Sequence, residues 1–176
     1  MQTNLIPFYN PLLSYEDNYQ HGPFGDFSKA TSCIGKNRHT ERFLNLEVNL
    51  PFGIPAGPLL NANFIKAAFN HGFDLCVYKT VRTRAQASHP LPNVLSIHPA
   101  GQLSANIDTV LADTNYTAPL SITNSFGVPS FNPDIWQPDL ADAVNAAHKG
   151  QYVIGSFQGT AGNEASIEKD YAGAAR

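Results

Sequence analysis

The stretch FGIPAGPLLNANFIKAAFNHGFDLCVYKT, residues 52–80, reads as strand, helix, strand. Phe52 to Gly57 is a short apolar run stopped by Gly57-Pro58. Ala62 to Phe73 has the helical period: Phe64, Ile65, Ala68 and Phe69 fall on one face, and Gly72 supplies a C-terminal stop. Leu75 to Thr80 opens with four apolar residues, as a buried strand does. Two paired strands joined by a helix run parallel, so the stretch predicts a parallel α/β sheet.

The same rhythm returns downstream. Pro138 to Lys149 is expected to be a second helix, with Pro138 at its start and Leu140, Ala143, Val144 and Ala147 on one face. Tyr152 to Phe157 follows as a strand. Asn163 to Arg176 begins a third helix, with Ile167, Tyr171 and Ala174 spaced for burial. Upstream, Leu44, Leu46, Val48 and Leu50 alternate with polar residues as in a half-buried strand. This alternation suits a parallel sheet, either open or closed into a barrel. The chain stops in mid-pattern at Arg176, as a truncated sequence would.

Two stretches break the rhythm. Between Val81 and Pro119, punctuated by Pro90, Pro92, Pro99 and Gly101, apolar patches stand only at Val94–Ile97 and Ile107–Leu111. An excursion of that length is expected to hold a hairpin and to serve as a lid. Residues 1–45 interleave Pro7, Pro11, Gly22, Pro23 and Gly25 with Phe8, Tyr9, Tyr15, Tyr19, Phe24 and Phe27. So many aromatics suit a segment packed against something, not a linker, and they lack the amphipathic period of a membrane anchor.

With 176 residues, 43% hydrophobic and 14% charged, the chain can build one ordinary core. A formal charge of -3 offers no attraction to nucleic acid or to an anionic membrane. The cations Lys79, Arg82 and Arg84 fit a small-anion site or a solvated loop equally well. Cys33 and Cys76 make one bridge at most, and Cys76, inside an apolar run, reads as a buried free thiol. With no secretory or spanning segment, the expected compartment is the reducing cytoplasm.

Chemistry-bearing residues collect at four strand ends: Pro55-Ala56-Gly57, Tyr78-Lys79-Thr80, Thr123-Asn124-Ser125-Phe126-Gly127 and Gly155-Ser156-Phe157-Gln158-Gly159. The C-terminal edge of parallel strands is where α/β proteins bind ligands. Small residues at 56 and 57 let a planar ring approach the backbone. Lys79 is a fixed cation able to stabilise charge developing on a reduced ring, or else a snorkelling side chain. Asn124, Gly127 and Pro129 could also merely shape a turn. His89 and His98 read as loop bystanders, and Phe131 and Trp136 as packing residues.

Taken together and in order, Pro51-Phe52-Gly53-Ile54-Pro55-Ala56-Gly57-Pro58, Val77-Tyr78-Lys79-Thr80-Val81 and Ile122-Thr123-Asn124-Ser125-Phe126-Gly127-Val128-Pro129 resemble the dihydroorotate dehydrogenase family. The resemblance covers roughly Leu46 to Arg176. It implies a TIM (β/α)8 barrel of which only the N-terminal portion is present, preceded by an extension over residues 1–45. It implies FMN as cofactor, with dihydroorotate oxidised to orotate in pyrimidine biosynthesis, and a homodimer.

On matching positions, Ala56 and Gly57 would lie against the flavin. Lys79 and Thr80 would contact it, Lys79 also reaching the substrate. Asn124, Phe126, Gly127 and Val128 would bind and cover the pyrimidine ring. The family's catalytic base, a Cys or Ser, follows a later strand and would lie beyond Arg176. Neither Cys33 nor Cys76 takes that role, and no metal is implied. The long Lys79-to-Asn124 spacing and the N-terminal extension depart from compact members. Two alternatives stay open: a related FMN barrel such as a dihydropyrimidine dehydrogenase, or a non-catalytic partial barrel acting as an interaction module. The electron acceptor (fumarate, NAD or quinone) is equally open.

Overall fold

A computed structural model of the chain describes residues 7–29, 40–99, 101–106, 108–117, 120–160, 162 and 166–175. Its centre is a three-stranded parallel sheet of β3 (Gly53–Ile54), β4 (Leu75–Val77) and β8 (Tyr152–Ile154), in the order β3-β4-β8. Ile54 pairs with Cys76, and Cys76 with Val153. Each strand is followed by a helix: α2 (Ala62–Asn70), α3 (Pro133–Asn145) and α4 (Ile167–Ala174). The fold is mixed α/β, and the described residues do not close a barrel.

Helix α2 forms where the periodicity placed it. Asn61 caps it, its side chain accepting from the Asn63 and Phe64 N–H groups. At the other end Gly72, with φ +85, lets the Phe73 N–H reach the Ala68 carbonyl at 3.1 Å, and the Gly72 N–H bonds the Phe69 carbonyl at 3.0 Å. Phe64, Ile65, Ala68 and Phe69 are buried, and with Leu59, Leu60, Cys76, Tyr78, Val81, Trp136 and Ala143 they form the core. Asp139 of α3 ties the layers together. It accepts from the Ala62 N–H at 2.8 Å and from the Tyr78 hydroxyl at 2.6 Å.

Four expectations need correction. Helix α3 starts at Pro133, which takes the first-turn position where no N–H is needed, and Pro138 lies inside it. Pro138, which has no N–H to donate, is exposed on this helix. The Leu44–Leu50 alternation is not one strand but a hairpin of β1 (Glu41–Phe43) and β2 (Leu46–Val48). Leu44, at φ 53, sits in its turn and is 81% exposed; only Val48 faces inward.

The third correction concerns Ile122–Asn124, labelled β7. It does not join the parallel sheet. It pairs antiparallel with β5 (Val94–Ile97), whose other edge carries β6 (Ala112–Asp113). The excursion thus contributes a hairpin and its own small sheet, and the second apolar patch leaves Asp108–Leu111 outside any strand. Finally, the third helix begins at Ile167 behind a Ser166 cap, whose side chain accepts from the Lys169 N–H. Cys33, Ile107, Pro119, Asn163 and Arg176 lie outside the described residues.

The N-terminal segment packs onto the core. Helix α1 (Tyr15–His21) buries Tyr15, and Phe8, Tyr9, Tyr19 and Phe27 lie against the same cluster. Asn18, fully buried, donates to the carbonyls of Asn10, Leu13 and Ser14 and closes the loop before α1.

Candidate functional site

A cavity of about 990 Å³ opens over the C-terminal ends of β3 and β4. Ala56, Gly57, Lys79, Thr80, Asn124, Phe126, Gly127 and Val128 all line it, so the three motifs converge on one place.

The floor comes from the parallel strands. Gly57 has φ +120, and a Cβ built there would meet nothing within 4 Å. The backbone conformation favours glycine, and the open space leaves room for a flat group against the main chain. Lys79 follows β4 and is only 7% exposed. Its ammonium donates to the Thr80 carbonyl at 3.1 Å and the Pro129 carbonyl at 3.3 Å. Those contacts use two of its three protons. Burial pushes its pKa down to about 8, and the neighbouring Arg82 cation adds to the shift. Thr80 Oγ1 lies 2.9 Å from Ser156 Oγ, joining the ends of β4 and β8.

One wall comes from the excursion. Val94 and Asn124 are cross-strand partners on β5 and β7, so their side chains share a face, and both line the cavity. Ile122, two residues before Asn124, lines it too, whereas Thr123 between them does not. Asn93, 3% exposed, fixes this wall by donating to the carbonyls of His89 at 2.8 Å and Ser125 at 3.0 Å. Next comes a left-handed pair, Gly127 at φ +75 and Val128 at φ +50. A Cβ at Gly127 would collide with the His89 ring. His89 also bonds Ser125 Oγ through Nδ1 at 3.2 Å, so it supports the loop. His98 pairs with Asp113 at 2.9 Å on β6 and does not line the cavity.

The other wall is the N-terminal segment: Phe8, Tyr9, Pro11, Leu12, Tyr15 and Phe24. Tyr9 and Tyr15 meet the Phe126 ring edge-on, with centroids 5.6 and 6.3 Å away. Sequence reasoning assigned none of these to the site; their aromatic density was the one signal. Phe131 stacks on Tyr15, and Trp136 donates from Nε1 to the Arg82 carbonyl at 3.0 Å, both as packing residues. Cys76 is buried and unbridged. No helix among the described residues is long and apolar enough to cross a membrane.

No family model matches the chain. Dihydroorotate dehydrogenase of Dictyostelium discoideum is 34% identical over 176 residues, an alignment covering 94% of this chain and 47% of that protein. The chain thus spans about half the length of that relative. The likeness first carried by three short motifs extends over nearly all of the chain, which is similar to that dihydroorotate dehydrogenase along 94% of its own length.

Proposed function

We propose that this chain forms the first βα units of an FMN-binding (β/α)8 barrel that oxidises dihydroorotate to orotate. One observation carries the reading: residues from three distant motifs line a single cavity beside a buried ammonium. Three parallel strands, each with its helix, are what the start of such a barrel contains.

The residues suit a flavin. Gly57 offers bare backbone with open space above it, Ala56 adds little bulk, and Thr80 adds a hydroxyl at the same edge. When bound, FMN supplies the two-electron acceptor that no side chain provides. Lys79 keeps a proton for a ligand atom after satisfying two carbonyls, and its charge favours a ring that gains electron density. Asn124 can both donate to and accept from a pyrimidine edge. Phe126 gives an apolar cover, and the Gly127-Val128 turn shapes the wall around it. The base that removes the ring proton is not assigned to any of these lining residues; the family resemblance puts it after a later strand. A buried reduced thiol at Cys76 suits a cytoplasmic enzyme.

The test is anaerobic titration of the purified full-length protein. It should be yellow, and dihydroorotate should bleach its flavin absorbance. A colourless protein, or one bleached by dihydrouracil and not by dihydroorotate, would overturn the reading.

A further inference from the structure

Val128 and Arg82 are joined in a way the motifs do not explain. At φ +50, Val128 lies in the left-handed region, where a β-branched side chain crowds its own backbone. Such a conformation persists only where its surroundings hold it. Arg82 Nε donates to the Val128 carbonyl at 3.0 Å.

Arg82 is itself fixed on several sides. Its N–H donates to Ser130 Oγ at 3.0 Å, and its carbonyl accepts from Trp136 Nε1 at 3.0 Å. Its Nη1 donates to Thr160 Oγ1 at 2.5 Å, and the Thr160 N–H reaches Asp170 Oδ2 of α4 at 2.8 Å. A planar guanidinium can serve two acceptors at once from one rigid fork. It therefore spans the loop after β7 and the loop after β8.

We propose that Arg82 is a positioning residue: its guanidinium holds the Val128 turn left-handed and so keeps the Phe126–Pro129 wall of the cavity in shape. The consequence for substrate rests on the proposed function; the consequence for the turn does not.

A four-protein cycle separates the two, with wild type, Arg82→Gln, Val128→Gly and the double variant of the full-length protein. Glycine takes the left-handed conformation without strain. In the wild-type background, Val128→Gly relieves that strain; in Arg82→Gln the turn has already relaxed and there is none to relieve. Val128→Gly is therefore more favourable to Tm with Arg82 present than without it. The new glycine's unfolded-state entropy is common to both backgrounds and cancels. Arg82→Gln is expected to raise KM for dihydroorotate roughly tenfold with a smaller effect on kcat. Adding Val128→Gly should recover part of that loss. Arg82→Lys, which keeps the cation, should show the same non-additivity at smaller size and serves if Arg82→Gln does not fold.

Additive Tm shifts overturn the proposal whatever the protein acts on. So does a KM rise of equal size in Arg82→Gln and the double variant. Non-additive Tm shifts in a protein that never oxidises dihydroorotate sink the functional reading and leave the turn assignment standing.

Discussion

Lys79 Nζ donates to the Pro129 carbonyl at 3.3 Å, so an ammonium at the end of β4 is anchored by the turn that follows β7. The floor and the wall of the cavity are thereby one unit.

Lys79→Met is expected to slow flavin reduction by dihydroorotate about 10²–10³-fold, the loss typical of a donor aimed at developing charge. Stability should change far less, because replacing a buried cation by an apolar chain removes a desolvation penalty as well as its contacts. Stopped-flow reduction beside urea unfolding reads both. A wild-type reduction rate would remove Lys79 from the mechanism.

The pH dependence has a definite sign. Lys79 titrates near pH 8 when folded, against 10.5 for an ordinary lysine. Between those values the unfolded chain binds more protons, so this residue's contribution to stability rises with pH across that window. Flavin reduction should fall over the same range as the ammonium is lost. Arg82→Gln should move the decline upward, since the Arg82 charge helps depress it. A pH–rate profile flat from 7 to about 10 would contradict this.

Tyr15 is 3% exposed and touches Tyr19, Phe126 and Phe131. Tyr15→Ala should cost about 3–5 kcal/mol, as other buried aromatic truncations do. It should also weaken ligand binding by loosening Phe126. If urea denaturation shifts by less than about 1 kcal/mol, the segment is not part of the core.

Gly57→Ala should lower Tm through its φ of +120, and should also weaken flavin binding by filling the open space beside the backbone. Flavin retention on desalting checks it. Full retention would place the ring elsewhere.

The 176 residues expressed alone should self-associate and hold no flavin. Strands β3 and β8 each have an edge with no neighbour among the described residues, and Val144, Ile154 and Tyr171 are exposed at 52%, 36% and 44%. Sedimentation of a monodisperse yellow monomer would refute this.

Local chemistry made much of the molecule legible. The α2 face, its glycine stop and the β4 run follow from near-neighbour spacing, and the structure has them. What escaped was decided by distant partners. Pro133 and Pro138 both suit a helix start, and the earlier one puts Trp136 within the helix and against the core. The alternation at 122–124 has the period of any strand; only its pairing with Val94–Ser96 makes it antiparallel. The cavity-lining residues legible in the sequence sit in strand-end motifs marked by a polar group or a glycine, such as Gly57, Lys79 and Asn124. The walls made by Phe8, Tyr9 and Tyr15 were missed because an aromatic in a cavity lining looks, in one dimension, like an aromatic in a core.

The edge-on contacts of Tyr9 and Tyr15 with Phe126 join positions more than a hundred residues apart in the chain. Selection therefore cannot act on the loop at 126 alone. Across relatives that keep an N-terminal segment of this kind, residues 9, 15 and 126 should covary in size, a larger ring at one answered by a smaller side chain at another. Relatives lacking the segment should be released from that constraint, and their residue at 126 should drift toward flexible side chains that need no lateral support.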